Sequence, residues 1–156
     1  MIDDQSKVIG PILALDLGEK LVGVAISDER LITTKRLDPL KRSNWKKLLQ
    51  DLRRLLERFD AKTIVVGLPL RLDGTEGDAA KNVRRLALNF AKSVAQPVYL
   101  QDERLTSFEA MENLKAEGRK TVEFPALVDG EAAATILRDF LSGGQQRMLI
   151  NPAKEE

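Results

Sequence analysis

Cysteine and histidine are both absent from this chain of 156 residues, and the two absences narrow its chemistry more than any composition figure. They exclude disulfides, thiolate nucleophiles, Cys/His zinc sites and an imidazole base. Any hydrolytic chemistry must be built from carboxylates, hydroxyls, lysine or tyrosine, or from metal ions held by oxygen. Long hydrophobic runs are missing as well: the longest fall far short of a membrane span. Met1-Ile2-Asp3-Asp4-Gln5 has neither the basic flank nor the apolar stretch of a signal peptide. A cytoplasmic location without membrane contact is the expectation. Nor is there an excess of charge of one sign, since 25 basic residues meet 24 acidic ones for a net charge of +1. The overall balance therefore argues neither for nor against a nucleic-acid partner.

The local distribution is less even. Between Arg30 and Lys47 seven bases (Arg30, Lys35, Arg36, Lys41, Arg42, Lys46, Lys47) stand against the single acid Asp38. Such a patch can follow a phosphate backbone; the same composition also makes an ordinary solvated loop and helix face. With 43% apolar residues the chain suits one domain with a real core. That domain is expected over residues 12–142, after an N-terminal extension (1–11) and before a C-terminal tail (143–156) that carries an apolar patch, Met148-Leu149-Ile150.

Two apolar runs, Ile12 to Gly18 and Leu21 to Asp28, are separated by a Gly-containing turn and predict a hairpin. Leu31 to Thr34 offers a third strand, and a polar connection through Asp38-Pro39 leads to Ser43, a candidate N-cap. Trp45, Leu48, Leu49, Leu52, Leu55, Leu56 and Phe59 recur at helical spacing. Thr63 to Gly67 reads as a buried parallel strand. Thr75 is placed to cap a helix running to about Ala95, and Pro97 to Gln101 gives the fifth strand. Thr106 and Glu109 form a capping box for a helix ending near Gly118. Residues 119–128 read as a loop, and a last helix starts at Asp129. The sum is an α/β fold of the ribonuclease H type, a mixed five-stranded sheet with helices on both faces.

Within that frame one acid is out of place. Asp16 interrupts an apolar strand, where a buried carboxylate is costly unless a cation, hydrogen-bond donors or a metal compensates it. Reactive groups in such sheets gather beyond the carboxyl ends of the strands. Glu103, just after the fifth strand, and Asp129, which shares a helix face with Ala133 and Ile136, are suited to meet Asp16 there. Each has a plain structural alternative: a surface-facing strand residue for Asp16, an ion pair with Arg104 for Glu103, an N-cap for Asp129. Asp28 and Asp102 compete for the same roles. Close carboxylates resist joint ionisation without a divalent cation, and hard oxygen ligands suit Mg²⁺ or Mn²⁺.

Four segments in order carry a family resemblance: Asp16-Leu17-Gly18 with Gly23-Val24-Ala25; Val66-Gly67-Leu68-Pro69-Leu70 through Asp73-Gly74-Thr75-Glu76; Asp102-Glu103-Arg104-Leu105-Thr106-Ser107; and Val128-Asp129 with Ala132-Ala133. From about Ile12 to Leu141 the chain resembles the YqgF family, also called RuvX or Holliday-junction-resolvase-like and described as a pre-16S rRNA nuclease. The resemblance implies a ribonuclease H-like fold and a cytoplasmic nuclease of ribosome biogenesis, acting in 5′-end maturation of 16S rRNA. It makes Asp16, Glu103 and Asp129 the catalytic and metal-binding acids. One or two Mg²⁺ or Mn²⁺ ions would assist hydrolysis, with no protein base required. Lys20, Arg71, Arg104 and Thr106 are candidates for holding phosphates of the substrate, each with an alternative as surface charge or helix cap. Two departures from the family pattern lie near the third acid: Gly130 stands where many relatives carry Ser, and Glu123 to Leu127 is less basic. RNA is the favoured substrate. A four-way DNA junction and a catalytically weak RNA-binding assembly factor are the alternatives, and domain size argues against an actin-like ATPase.

Overall fold

A computed structural model describes residues 8–103, 116, 124–142 and 147–152, with 124–130 as backbone only. Its centre is a six-stranded sheet in the order β3-β2-β1-β4-β5-β6. β1 (Ile12–Leu17), β2 (Leu21–Ser27) and β3 (Thr34–Lys41) form an antiparallel meander, while β4 (Thr63–Leu68) and β5 (Val98–Asp102) run parallel to β1. The sixth strand corrects the expected five. β6 (Arg147–Leu149) comes from the segment expected as a tail and pairs antiparallel with β5, and Ile150 behind it is buried in the core.

Strand alternation sorts the core into two layers. Leu13, Leu15, Val24, Ile64, Val66 and Leu100 face one side, covered by α1 (Trp45–Arg58) and α2 (Asp78–Ser93). Both helices follow from their apolar stripes: Leu48, Leu52 and Leu56 of α1, and Ala80, Val83, Ala87 and Phe90 of α2, are buried against the sheet. Ile12, Ala14, Ala25, Val65 and Tyr99 face the other side, covered by α3 (Phe124–Ser142) through Ala133, Ala134, Ile136, Leu137 and Phe140. Alanines on both partners let helix and sheet approach closely. No helix among the described residues is long and apolar enough to cross a membrane.

Several local expectations are corrected. The third strand begins at Thr34 and runs through Asp38-Pro39. Residues 31–33 belong instead to a turn in which the Asp28 carboxylate accepts the backbone N–H groups of Ile32 and Thr33 at 2.7 and 2.9 Å. Pro39 is tolerated because β3 is an edge strand whose register slips at this point. Asn44, not Ser43, caps α1, its Oδ1 accepting the Lys47 N–H at 2.8 Å. Thr75 does not cap α2: its hydroxyl donates to Asp73 Oδ1 at 2.7 Å, and Gly77 is the cap residue. α3 starts at Phe124, five residues before Asp129, which lies inside it and is not its N-cap. Residues 124–128 of the expected loop are the first turn of α3, where the missing N–H of Pro125 costs nothing. The helix expected from Thr106 to Gly118 lies outside the described residues except for Ala116, which is helical.

One ionic cluster ties α3 to the sheet. Glu131 is 1% exposed and meets Arg36 of β3 at 3.2 Å and Arg138 at 3.0 Å. The buried carboxylate depends on these partners, whereas both arginines reach solvent. Arg36→Ala is therefore expected to destabilise the fold by roughly 2–3 kcal/mol, because it strips charge compensation from a buried ion. Glu131→Gln, which keeps the shape and removes the charge, should cost less. Urea midpoints of the two variants give the ranking, and the reverse order would refute this account.

Candidate active site

Asp16 lies near the carboxyl end of β1 with the parity of Ile12 and Ala14, so it shares the sheet face that α3 covers. Its antiparallel partner on β2 is Gly23, and on the other side β4 presents Gly67 one step past the Leu15–Val66 pair. Asp16 is thus flanked by glycine on both neighbouring strands. Glu103 follows β5, and its backbone N–H donates to the Leu68 carbonyl at 3.1 Å, extending the β4–β5 ladder by one residue. Because β4 separates β1 from β5, the two acids must meet across a whole strand.

Gly67 makes that meeting possible. A Cβ at this position would stand 2.6 Å from Glu103 Oε2 and would also strike Ile136 Cδ1 of α3. The Glu103 carboxyl occupies the space that a side chain at residue 67 would fill, and there it is hydrogen bonded to Asp16. Burial pushes the Asp16 carboxyl up from its ordinary value, while the bond to Glu103 works the other way. Burial also pushes Glu103 well above the usual carboxylate range, and the Asp16 charge, the shared hydrogen bond and the Asp102 charge add to it. Two carboxyl groups in one hydrogen bond hold a proton between them.

These two carboxyls could hold a cation in place of that proton. A divalent ion would replace it and neutralise both carboxylates, and an all-oxygen donor pair suits Mg²⁺ or Mn²⁺. A further polar group lies on the same face: Gln101, two residues before Glu103 and paired in register with Gly67, is fully buried. Neither its Oε1 nor its Nε2 has a partner among the described residues. A buried amide left so is costly, and it adds unspent hydrogen-bonding capacity beside the acids. No cluster of three acidic ligands forms among the described residues. The side chain of Asp129 lies outside them, though its backbone sits in α3 four and seven residues before Ala133 and Ile136, which pack on this face.

The other expected residues divide. Lys20 is exposed in the β1–β2 turn at the edge where Asp16 lies, and its carbonyl accepts the Arg42 N–H at 2.8 Å. Arg71 lies in the loop after β4 with its guanidinium against Gly77 at the start of α2, where its charge also acts on Asp73. Arg104 and Thr106 fall outside the described residues. Asp28 is occupied by its turn at the opposite end of β2, and Asp102 acts on Glu103 through its charge.

Reading the sequence did not single out Gln101, and it met Gly67 only within a segment of the family resemblance and Arg42 only within the basic run. Gln101 carries the same signal as Asp16, a polar residue in a buried strand. The role of Gly67 beneath the acids depends on what crosses above it. A cleft of about 510 Å³ adjoins the pair, with Glu103 in its wall together with Arg42 and residues of α2. A larger recess of about 660 Å³ lies at the opposite end of the sheet, between the last turns of α1 and α2, away from the acids.

A family model described as RuvX, Holliday junction resolvase, matches residues 10–143. A relative from Gloeothece citriformis named "Putative pre-16S rRNA nuclease" is 40% identical, over 88% of this chain and 91% of its own length. Another of the same name from Anaeromyxobacter is 39% identical, over 84% of this chain and 96% of its own. Among solved structures, Thermus thermophilus RuvC in complex with Holliday junction substrate superposes with a TM-score of 0.55 at 16% identity, over 89% of this chain and 98% of that one. The fowlpox virus resolvase complexed with Holliday junction DNA gives 0.51 at 14% identity, over 85% and 97%. The fold is thus shared with RuvC, in the ribonuclease H-like arrangement expected.

The acid pair sets a pH dependence of stability. With its pKa raised in the folded state, Glu103 holds its proton more tightly than the unfolded chain does. Its favourable contribution is fully present below the unfolded value and is lost as pH rises through the folded one. Metal-free protein should accordingly lose Tm as pH rises above the ordinary carboxylate range, and Mg²⁺ should restore it. Glu103→Gln should flatten that slope and raise the metal-free Tm at the alkaline end by about 2–4 °C for each kcal/mol relieved. A lower Tm for the variant throughout would count against the pair. Gly67→Ala is expected to fold, since flexible side-chain ends can move aside, but to lose most of the Mg²⁺-induced rise in Tm because Glu103 is displaced.

Proposed function

The chain belongs to the RuvX family of Holliday junction resolvases, and we propose that this nuclease hydrolyses phosphodiester bonds of precursor 16S rRNA with the help of Mg²⁺ or Mn²⁺. The observation that carries the reading is the Asp16–Glu103 pair, two half-buried carboxyls sharing a hydrogen bond at the carboxyl edge of the sheet. Stability alone gives no reason to keep such a pair; a cation-dependent reaction does. The names of the full-length relatives support precursor 16S rRNA as the substrate.

In this reading Asp16, Glu103 and Asp129 hold the cation, which when bound supplies an activated water and charge stabilisation at the leaving oxygen. Asp16 acts from the rigid interior of the sheet, so its carboxylate is fixed before substrate arrives. Glu103 reaches back over Gly67 and would hold the cation from that side, once its carboxyl is deprotonated. Asp129 approaches from α3, whose position is held by Glu131 and its arginines. Lys20 and Arg71, at the turn after β1 and the loop after β4, supply positive charge for flanking phosphates, as does Arg104, while Thr106 donates its hydroxyl to them.

The test is a cleavage assay of the purified protein on precursor 16S rRNA, unstructured RNA and a four-way DNA junction, each with Mg²⁺, Mn²⁺ or chelator. Cleavage of the precursor is expected only with a divalent cation, and Asp16→Asn or Glu103→Gln should lower it by about 100-fold or more. Cleavage that survives chelator or Asp16→Asn would sink the metal-carboxylate mechanism. Cutting confined to the junction would move the substrate to branched DNA.

A further inference from the structure

We propose that the cleft beside Glu103 receives one unstacked nucleobase of the bound strand, next to the phosphate held at the acid pair; the inference rests on the phosphodiesterase reading of that pair. The cleft lies on the α2 side of the sheet edge and is lined by Leu17, Pro69, Val83 and Leu86 as apolar walls, with Asn82 and Arg42 as polar groups. Its volume of about 510 Å³ lies within the range of small-ligand sites, which combine apolar walls with a few placed polar atoms. A base splayed out of a single strand has that shape and that need.

The charges select the occupant. Glu103 is engaged with Asp16, but Glu19 also lines the cleft, a carboxylate that repels a phosphate placed inside and not a neutral base. Base amino groups find an acceptor in the same Glu19 carboxylate. Asn82 Oδ1 accepts from Arg85 Nη2 at 2.5 Å, which fixes the amide and leaves its N–H groups for a base edge. Arg42 Nη1 donates to the Gly18 carbonyl at 2.7 Å, fixing a guanidinium with further donors for the strand's own phosphate. Glu103 belongs both to this wall and to the acid pair, so the occupant must be covalently close to the reacting phosphate. A neighbouring nucleotide of the same strand meets that condition.

Binding of a fluorescent single-stranded RNA oligomer, followed by anisotropy in the presence of chelator, tests this without cleavage. An abasic site is stepped along the oligomer, and the wild type is compared with Asn82→Trp and Ala79→Tyr. Both substitutions fill the cleft from exposed positions of α2, and melting curves check the fold of each. At one position the abasic site should weaken wild-type binding about fivefold or more. Each filled variant should show the same loss on intact RNA and no further loss on the abasic one. Variants that bind intact RNA as the wild type does, an abasic penalty undiminished in them, or a wild type insensitive at every position would each overturn the inference. If the pocket effect holds while the wild type cleaves no substrate with Mg²⁺, the subsite stands and the nuclease reading falls.

Discussion

The hydrogen bond between Asp16 and Glu103 spans a strand that belongs to neither residue, and the surrounding structure makes that geometry possible. β4 runs between β1 and β5, so the carboxyls close the gap only over a position without a side chain. Gly67 supplies it, and Gly23 clears the other flank of Asp16. The bond from the Glu103 N–H to the Leu68 carbonyl then fixes the backbone from which Glu103 turns back. Burying two acids together is unfavourable in isolation. The sheet tolerates it because the rest of both faces is densely apolar, and a shared proton or a cation can relieve the charge.

The two faces serve different ends. On the α1 and α2 side, long leucine, valine and phenylalanine side chains supply most of the hydrophobic core. On the α3 side, alanines bring a helix close to the strands that carry the acids, and the Glu131 cluster anchors that helix to the edge strand β3. The basic run noted in the sequence is spent in several ways. Arg36 compensates Glu131, Lys47 pairs with Asp51 within α1, and Arg42 clasps the turn after β1. Only part of the patch therefore remains to follow a phosphate backbone: Lys41, paired with Leu21, lies at the end of the sheet where the acids are, whereas Lys35, paired with Ile26, and Arg30 lie at the other end.

Much of this was legible beforehand because it is local. The apolar runs that became the strands at 12–17, 21–27, 63–68 and 98–102 and the leucine stripe of α1 depend on neighbours within a few residues. The boundaries that moved were those decided by contacts from elsewhere. The turn at 31–33 is set by Asp28, the late third strand by its edge position, and β6 by the free side of β5. The early start of α3 turns on one proline, whose meaning depends on whether it opens a helix or interrupts one.

By itself the sequence determined the chemical vocabulary: with neither cysteine nor histidine, a catalytic centre was limited to carboxylates, hydroxyls, lysine or tyrosine, or oxygen-held metal ions, and the acid set inside an apolar strand pointed to the carboxylates. It also determined Asp16 and Glu103 as candidates, since each sits where a strand's pattern breaks. Which acids meet was decided only in the tertiary structure, because strand order is a non-local property. The path from β1 through β4 to β5 brings together residues 16, 67 and 103, and the empty side of a glycine has no meaning until another chain segment needs the space.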